Sequence, residues 1–119
     1  MTETEPAGAD GATAESMSTT EHVALDDLDG TPHAVAFPDG EPRTIRLSLA
    51  ADESVPEHDH PDREIVVYLV EGRVRFTIDG ETHVVEAGDL VRFDGDQPIC
   101  PTAETDATAL IVLAPRSDG

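Results

Sequence analysis

Two imidazoles and a carboxylate lie within seven residues of each other, as His58, His60 and Glu64 in the stretch His58-Asp59-His60-Pro61-Asp62-Arg63-Glu64. In an extended chain His58 and His60 project from the same face, so both rings can meet one ion. A carboxylate after a short bend would complete a 2-His-1-carboxylate set for a divalent metal such as Mn, Fe, Co, Ni or Zn. The competing reading is a solvated pair of histidines in an acidic loop, with Glu64 in a surface ion pair to Arg63 or Arg73.

Such residues need a frame that holds them, and 119 residues with nine Pro and nine Gly allow one domain with a modest core. The sequence divides near residue 22. Residues 1–22 form an acidic stretch with almost nothing to bury, expected to be a disordered tail, and residues 23–119 form the folded domain. Met17 stands just before the first apolar residues and is a candidate alternative start.

Beyond Thr31 the apolar residues recur with period two or in short runs, broken by turn chemistry every eight to twelve residues, which predicts many short strands and no strong helix. Strands are expected at His33–Phe37, Thr44–Leu49, Glu64–Val70, Arg73–Ile78, Thr82–Glu86, Leu90–Phe93 and Thr108–Leu113, with a further extended piece at 54–60. Asp79-Gly80 is a favoured pair for a tight hairpin. This pattern predicts an all-β fold, an antiparallel double-sheet jelly roll closed into a barrel.

The order and spacing of these residues resemble the small single-domain cupins. The first motif of that family runs Gly, five residues, His-x-His, three or four residues, Glu, six residues, Gly. Asp52, His58, His60, Glu64 and Gly72 take those places, with Asp in the first glycine position and seven residues instead of six before Gly72. The extra residue implies a bulge. The second motif begins at Gly88 but then departs, with Asp94 for proline, Asp96 for glycine and Ile99 for the histidine that supplies the fourth metal ligand. The resemblance covers residues 40 to 114. It implies a cupin pocket, a homodimer, and His58, His60 and Glu64 as three ligands of a site that normally has four.

Other candidates carry less. Cys100 follows Ile99 and would reach the interior only through a local bulge. His83 falls on an expected strand among Thr82, Val84 and Val85, whereas His22 and His33 lack a carboxylate partner at a recognisable spacing, and Tyr68 reads as packing. No catalytic residue is assigned. There is no phosphate-cradling Gly-rich loop, no nucleophile elbow, no Cys-x-x-Cys and no Lys to act as base or Schiff-base residue.

Acidic residues outnumber basic ones 26 to 7, for a formal charge of −19, and every basic residue is Arg. Nucleic acid and anionic membrane are therefore excluded as partners. The composition resembles that of a halophile, where molar salt screens self-repulsion. The absence of a long apolar stretch or signal sequence predicts a cytoplasmic location, and a lone Cys suits a reducing compartment. Three functions fit the residues: a metal-dependent cupin enzyme of oxygenase or isomerase type, a cupin that binds a small molecule with or without metal, and a structural dimer. The sequence favours a small cupin with an unassigned small-molecule ligand and an incomplete divalent-metal site.

Overall fold

The computed structural model describes residues 20–116. The expected tail and the Met17 start lie outside these residues, apart from the tail's last three positions. Eight strands follow a single turn of 3-10 helix at Leu25–Asp27: β1 (His33–Val35), β2 (Arg43–Leu49), β3 (Arg63–Glu71), β4 (Arg73–Ile78), β5 (Glu81–Glu86), β6 (Leu90–Asp94), β7 (Ile99–Ala103) and β8 (Ala107–Pro115). Among the described residues no helix is long and apolar enough to cross a membrane.

All pairings are antiparallel, and the strands form a five-stranded sheet in the order β1-β2-β8-β3-β6 and a three-stranded sheet in the order β5-β4-β7. The expected barrel does not close. The two sheets share no strand, and each ends in open edges, so the domain is a sandwich. The edges themselves explain this. β1 is only three residues long, and the edge of β7 is met by the segment at 52–58, which touches it through isolated bridges at Ser54–Thr102 and His58–Ile99. Pro56 and Pro101 carry no amide hydrogen, so the contact is interrupted before it becomes a ladder.

Strand parity sets the core. Ile65, Val67 and Leu69 of β3 face Leu47 and Leu49 of β2 and Leu113 of β8 on the inner surface, and Val74, Phe76 and Ile78 of β4 close over them from the second sheet. No polar or charged side chain is buried among the described residues. The β4–β5 hairpin turns at Asp79-Gly80 as expected, both residues having positive φ.

The bulge implied by the long spacing before Gly72 is present as a register shift between Leu69 and Glu71 where β3 pairs with β8. Gly72 ends the strand at φ +91, and a Cβ there would meet the Asp106 carbonyl oxygen and the Ala107 Cα. Only glycine fits that approach. Asp52, in the other glycine place of the motif, also has positive φ, at 71.

Candidate functional site

The sheets leave a narrow pocket between their inner faces. Its cavity volume is about 30 Å³, within a depression of about 340 Å³ when the open mouth is included. Leu47, Ile65, Val67, Phe93 and Ile111 line it from the five-stranded sheet, and Phe76, Ile99 and Pro101 from the smaller one. Among the described residues its only polar lining side chains are His33, His58 and His60.

Backbone contacts fix each histidine. His58 is locked to β7 by reciprocal bonds, its amide donating to the Ile99 carbonyl at 3.1 Å and the Ile99 amide returning 2.8 Å to the His58 carbonyl. His60 is held by a clasp between the loop at 60–63 and the turn after β6: its amide donates to the Gly95 carbonyl, and the Gly95 amide donates to that of Arg63. Arg116 reaches both Asp94 and Asp96 across the same turn. The Asp62 amide donates to Asp96, and this bond, aided by Arg116, lowers the Asp96 pKa. Arg63 is in turn held by a two-pronged pair with Glu41.

His33 arrives from the opposite rim. Within the β1–β2 pair it stands directly across from Leu47, which faces the core, so β1 turns it to the pocket side. β1 leads out of a strap at residues 25–30, whose Leu25, Leu28 and Gly30 carbonyls all accept hydrogen bonds from the Arg46 guanidinium. The rings of His58 and His60 meet edge to face with centroids 4.9 Å apart. Burial, then the charge of His58, lowers the His33 pKa; for His60 the same two causes outweigh the raising effect of Asp59.

His58 and His60 are thus brought together as expected, and Glu64 is not. On β3 the inward residues are Ile65, Val67 and Leu69, so Glu64 lies on the outer face with Val66 and Tyr68, where its carboxylate is 3.6 Å from Arg92 in an exposed ion pair. Such a pair contributes little. Among the described residues no three His, Cys, Asp or Glu side chains are grouped to hold a metal ion, so the expected divalent-metal set of His58, His60 and Glu64 is not brought together.

The cause is one residue of register. With six residues left between it and Gly72, and four between His60 and it, the family's carboxylate falls at Ile65. Ile65 points into the pocket, and Ile99, in the place of the family's second-motif histidine, does the same. Two apolar side chains therefore stand where two ligands would be needed, and the residues present do not fit a metal centre.

The remaining candidates fall where packing puts them. Cys100 faces away from the pocket and its thiol donates to the Val55 carbonyl. His83 lies on exposed β5, 3.8 Å from Glu81. Tyr68 is exposed on the outer sheet face. Sequence reasoning missed His33, because a seven-residue connection between β1 and β2 fixes no register. It also missed β7, whose alternation of Ile99, Pro101 and Ala103 is masked by the proline.

No protein of curated function matches the chain. Solved structures do. A cupin protein from Bacteroides fragilis is 22% identical, with 85% of this chain and 86% of that one covered at a TM-score of 0.69. An uncharacterized protein with a double-stranded β-helix domain from Klebsiella pneumoniae is 14% identical, with 85% and 95% covered at 0.71. An RmlC-like cupin from Desulfovibrio desulfuricans is 20% identical, with 82% and 97% covered at 0.67. At these identities the likeness concerns the fold. The Cupin domain family model matches residues 45–114, which span β2 to β8 and every pocket residue except His33, and by that match the chain belongs to the cupin family.

Proposed function

We propose that this chain is a metal-free cupin module that binds a small, mostly apolar molecule between its sheets. One observation carries this reading: Ile65 and Ile99 project into the pocket where the family motif places a carboxylate and an imidazole, while His33, His58 and His60 gather at the rim. An apolar interior with a few convergent polar groups is the usual build of a ligand site. The enclosed part holds little more than one water, so the body of a ligand would lie in the wider mouth of about 340 Å³.

The test is a fragment screen followed through the methyl resonances of Ile65, Val67, Ile99 and Ile111. Small apolar fragments are expected to perturb these methyls together. Stoichiometric binding of Mn, Fe, Co, Ni or Zn to His58 and His60, or a screen in which no fragment moves these methyls, would overturn the reading.

A second feature favours self-association. On the outer face of the larger sheet Tyr68 and Leu90 stand opposite each other, 39% and 67% exposed, with Leu110 paired to Tyr68 on its other side. An apolar patch of this kind suits a homodimer interface in a family whose small members pair. Sedimentation of Leu90→Arg against the parent chain tests it, with a shift toward monomer expected. The excess of acidic side chains and the absence of Lys support a working environment of high salt.

A further inference from the structure

The tautomer of His58 narrows the chemistry of the ligand, an inference that rests on the pocket being a binding site. His58 Nδ1 lies 2.8 Å from the Pro56 carbonyl oxygen. A carbonyl oxygen only accepts, so Nδ1 must carry the hydrogen, and the neutral ring then presents Nε2 as a bare lone pair. Because Nδ1 is engaged by the ring's own loop, Nε2 is the nitrogen left for a ligand. Among the described residues no carboxylate, side-chain amide, hydroxyl, Arg or Lys lines the pocket. An anionic head would find no fixed cation there, and a cationic head would find no counter-charge; either would be desolvated without compensation. His60 and His33, whose rings are not committed to the Pro56 carbonyl, flank the same mouth and have N–H groups available to donate.

We infer that the pocket takes a neutral alcohol or phenol with a slender apolar body, its hydroxyl donating to His58 Nε2 and accepting from His60 or His33. A hydroxyl is the smallest head that both donates and accepts, which is what one bare nitrogen and a neighbouring N–H require. The walls of Phe76, Phe93 and Ile65 supply flat contacts for the body.

The experiment compares p-cresol with toluene, p-toluate and 4-methylbenzylamine at pH 8, above the ordinary imidazole pKa. Dissociation constants come from methyl resonances of the full chain in high salt. p-Cresol is expected to bind about tenfold more tightly than toluene, the value of one net hydrogen bond. In His58→Phe, which keeps a ring and removes the acceptor, the cresol-to-toluene ratio should fall to within about twofold, whatever happens to toluene binding itself.

Tighter binding of p-toluate or 4-methylbenzylamine would overturn the inference and leave the pocket reading intact. So would equal binding of toluene, or a cresol preference that survives in His58→Phe. If none of the four probes moves the pocket methyls, both readings fail. Nitrogen-15 spectra of the parent chain give an answer that does not depend on the variant folding: the unprotonated His58 resonance should be Nε2 and should shift upfield with p-cresol. A protonated Nε2 in the free protein would contradict the proposed geometry.

Discussion

Replacing Ile65 by Glu puts a carboxylate at the inward position that the family motif reserves for one, and so tests the register of β3 directly. Ile65 is 2% exposed, so losing its buried surface costs about 1.5–3 kcal/mol. A carboxyl group set among Phe76, Phe93 and Val67 without a partner takes up a proton and costs about 1–3 kcal/mol more. Together these amount to roughly 3–6 kcal/mol, a large part of the about 5–15 kcal/mol that holds a typical domain. The new carboxylate would also face His58 and His60 across the pocket, completing a facial set for Zn²⁺ or Ni²⁺. Metal at about a hundredfold over its dissociation constant should then restore about 2.7 kcal/mol. The assay is denaturant unfolding in high salt with and without metal. Ile65→Ala serves as the control, with a loss of about 2–5 kcal/mol and no metal response. Glu64→Gln should stay within about 0.5 kcal/mol of the parent, again without metal response. If Ile65→Glu costs less than about 1 kcal/mol, or if the parent chain gains stability from metal and Glu64→Gln abolishes that gain, the register described for β3 is wrong.

Gly95→Ala should cost about 1–3 kcal/mol, because a Cβ there meets the carbonyl oxygens of His60 and Arg63 and the Ile65 Cδ1; denaturant unfolding and a displaced His60 ring resonance check it. Stability should fall as pH is lowered. His33 and His60 have folded pKa values depressed from 6.5, and Asp96 from 3.8. Each contribution is complete above the unfolded value and lost as pH drops through the folded one. Unfolding midpoints measured from pH 8 to pH 3 should show this slope, and a maximum on the acid side of pH 6 would contradict it. Raising KCl from about 0.1 M to about 1 M shrinks the Debye length from about 10 Å to about 3 Å, so the thermal midpoint should rise; a fall would mean that the ion pairs of Arg63, Arg73 and Arg116 outweigh self-repulsion.

What the sequence reveals follows the physics of strands. Apolar alternation locates β2 and β4, short apolar runs locate β3 and β8, and Asp79-Gly80 fixes one hairpin, because these are local signals. β7 is hidden because Pro101 reads as a strand breaker, although its ring packs into the pocket and its missing amide faces an interrupted edge. Barrel closure depends on whether distant edges meet, and periodicity carries no such information. The site shows the same division. His58 and His60 are legible as a pair because two positions in one extended segment share a face, whereas Glu64 is misassigned because a bulge six residues away changes which side of β3 counts as inner. His33 needs the β1–β2 register, which belongs to the tertiary structure.

The Arg46 clamp has a kinetic meaning. One guanidinium holds three carbonyls of a strap that buries little, and the strap leads into a three-residue edge strand carrying His33. Detaching that edge breaks the β1–β2 pairing alone and leaves the other four strands of the larger sheet joined. The His33 side of the rim therefore hangs on a short edge element, of the kind that opens locally without unfolding the domain. Amide exchange should be fastest at β1, and a ligand's residence time should follow the lifetime of that strand more closely than the unfolding of the sandwich.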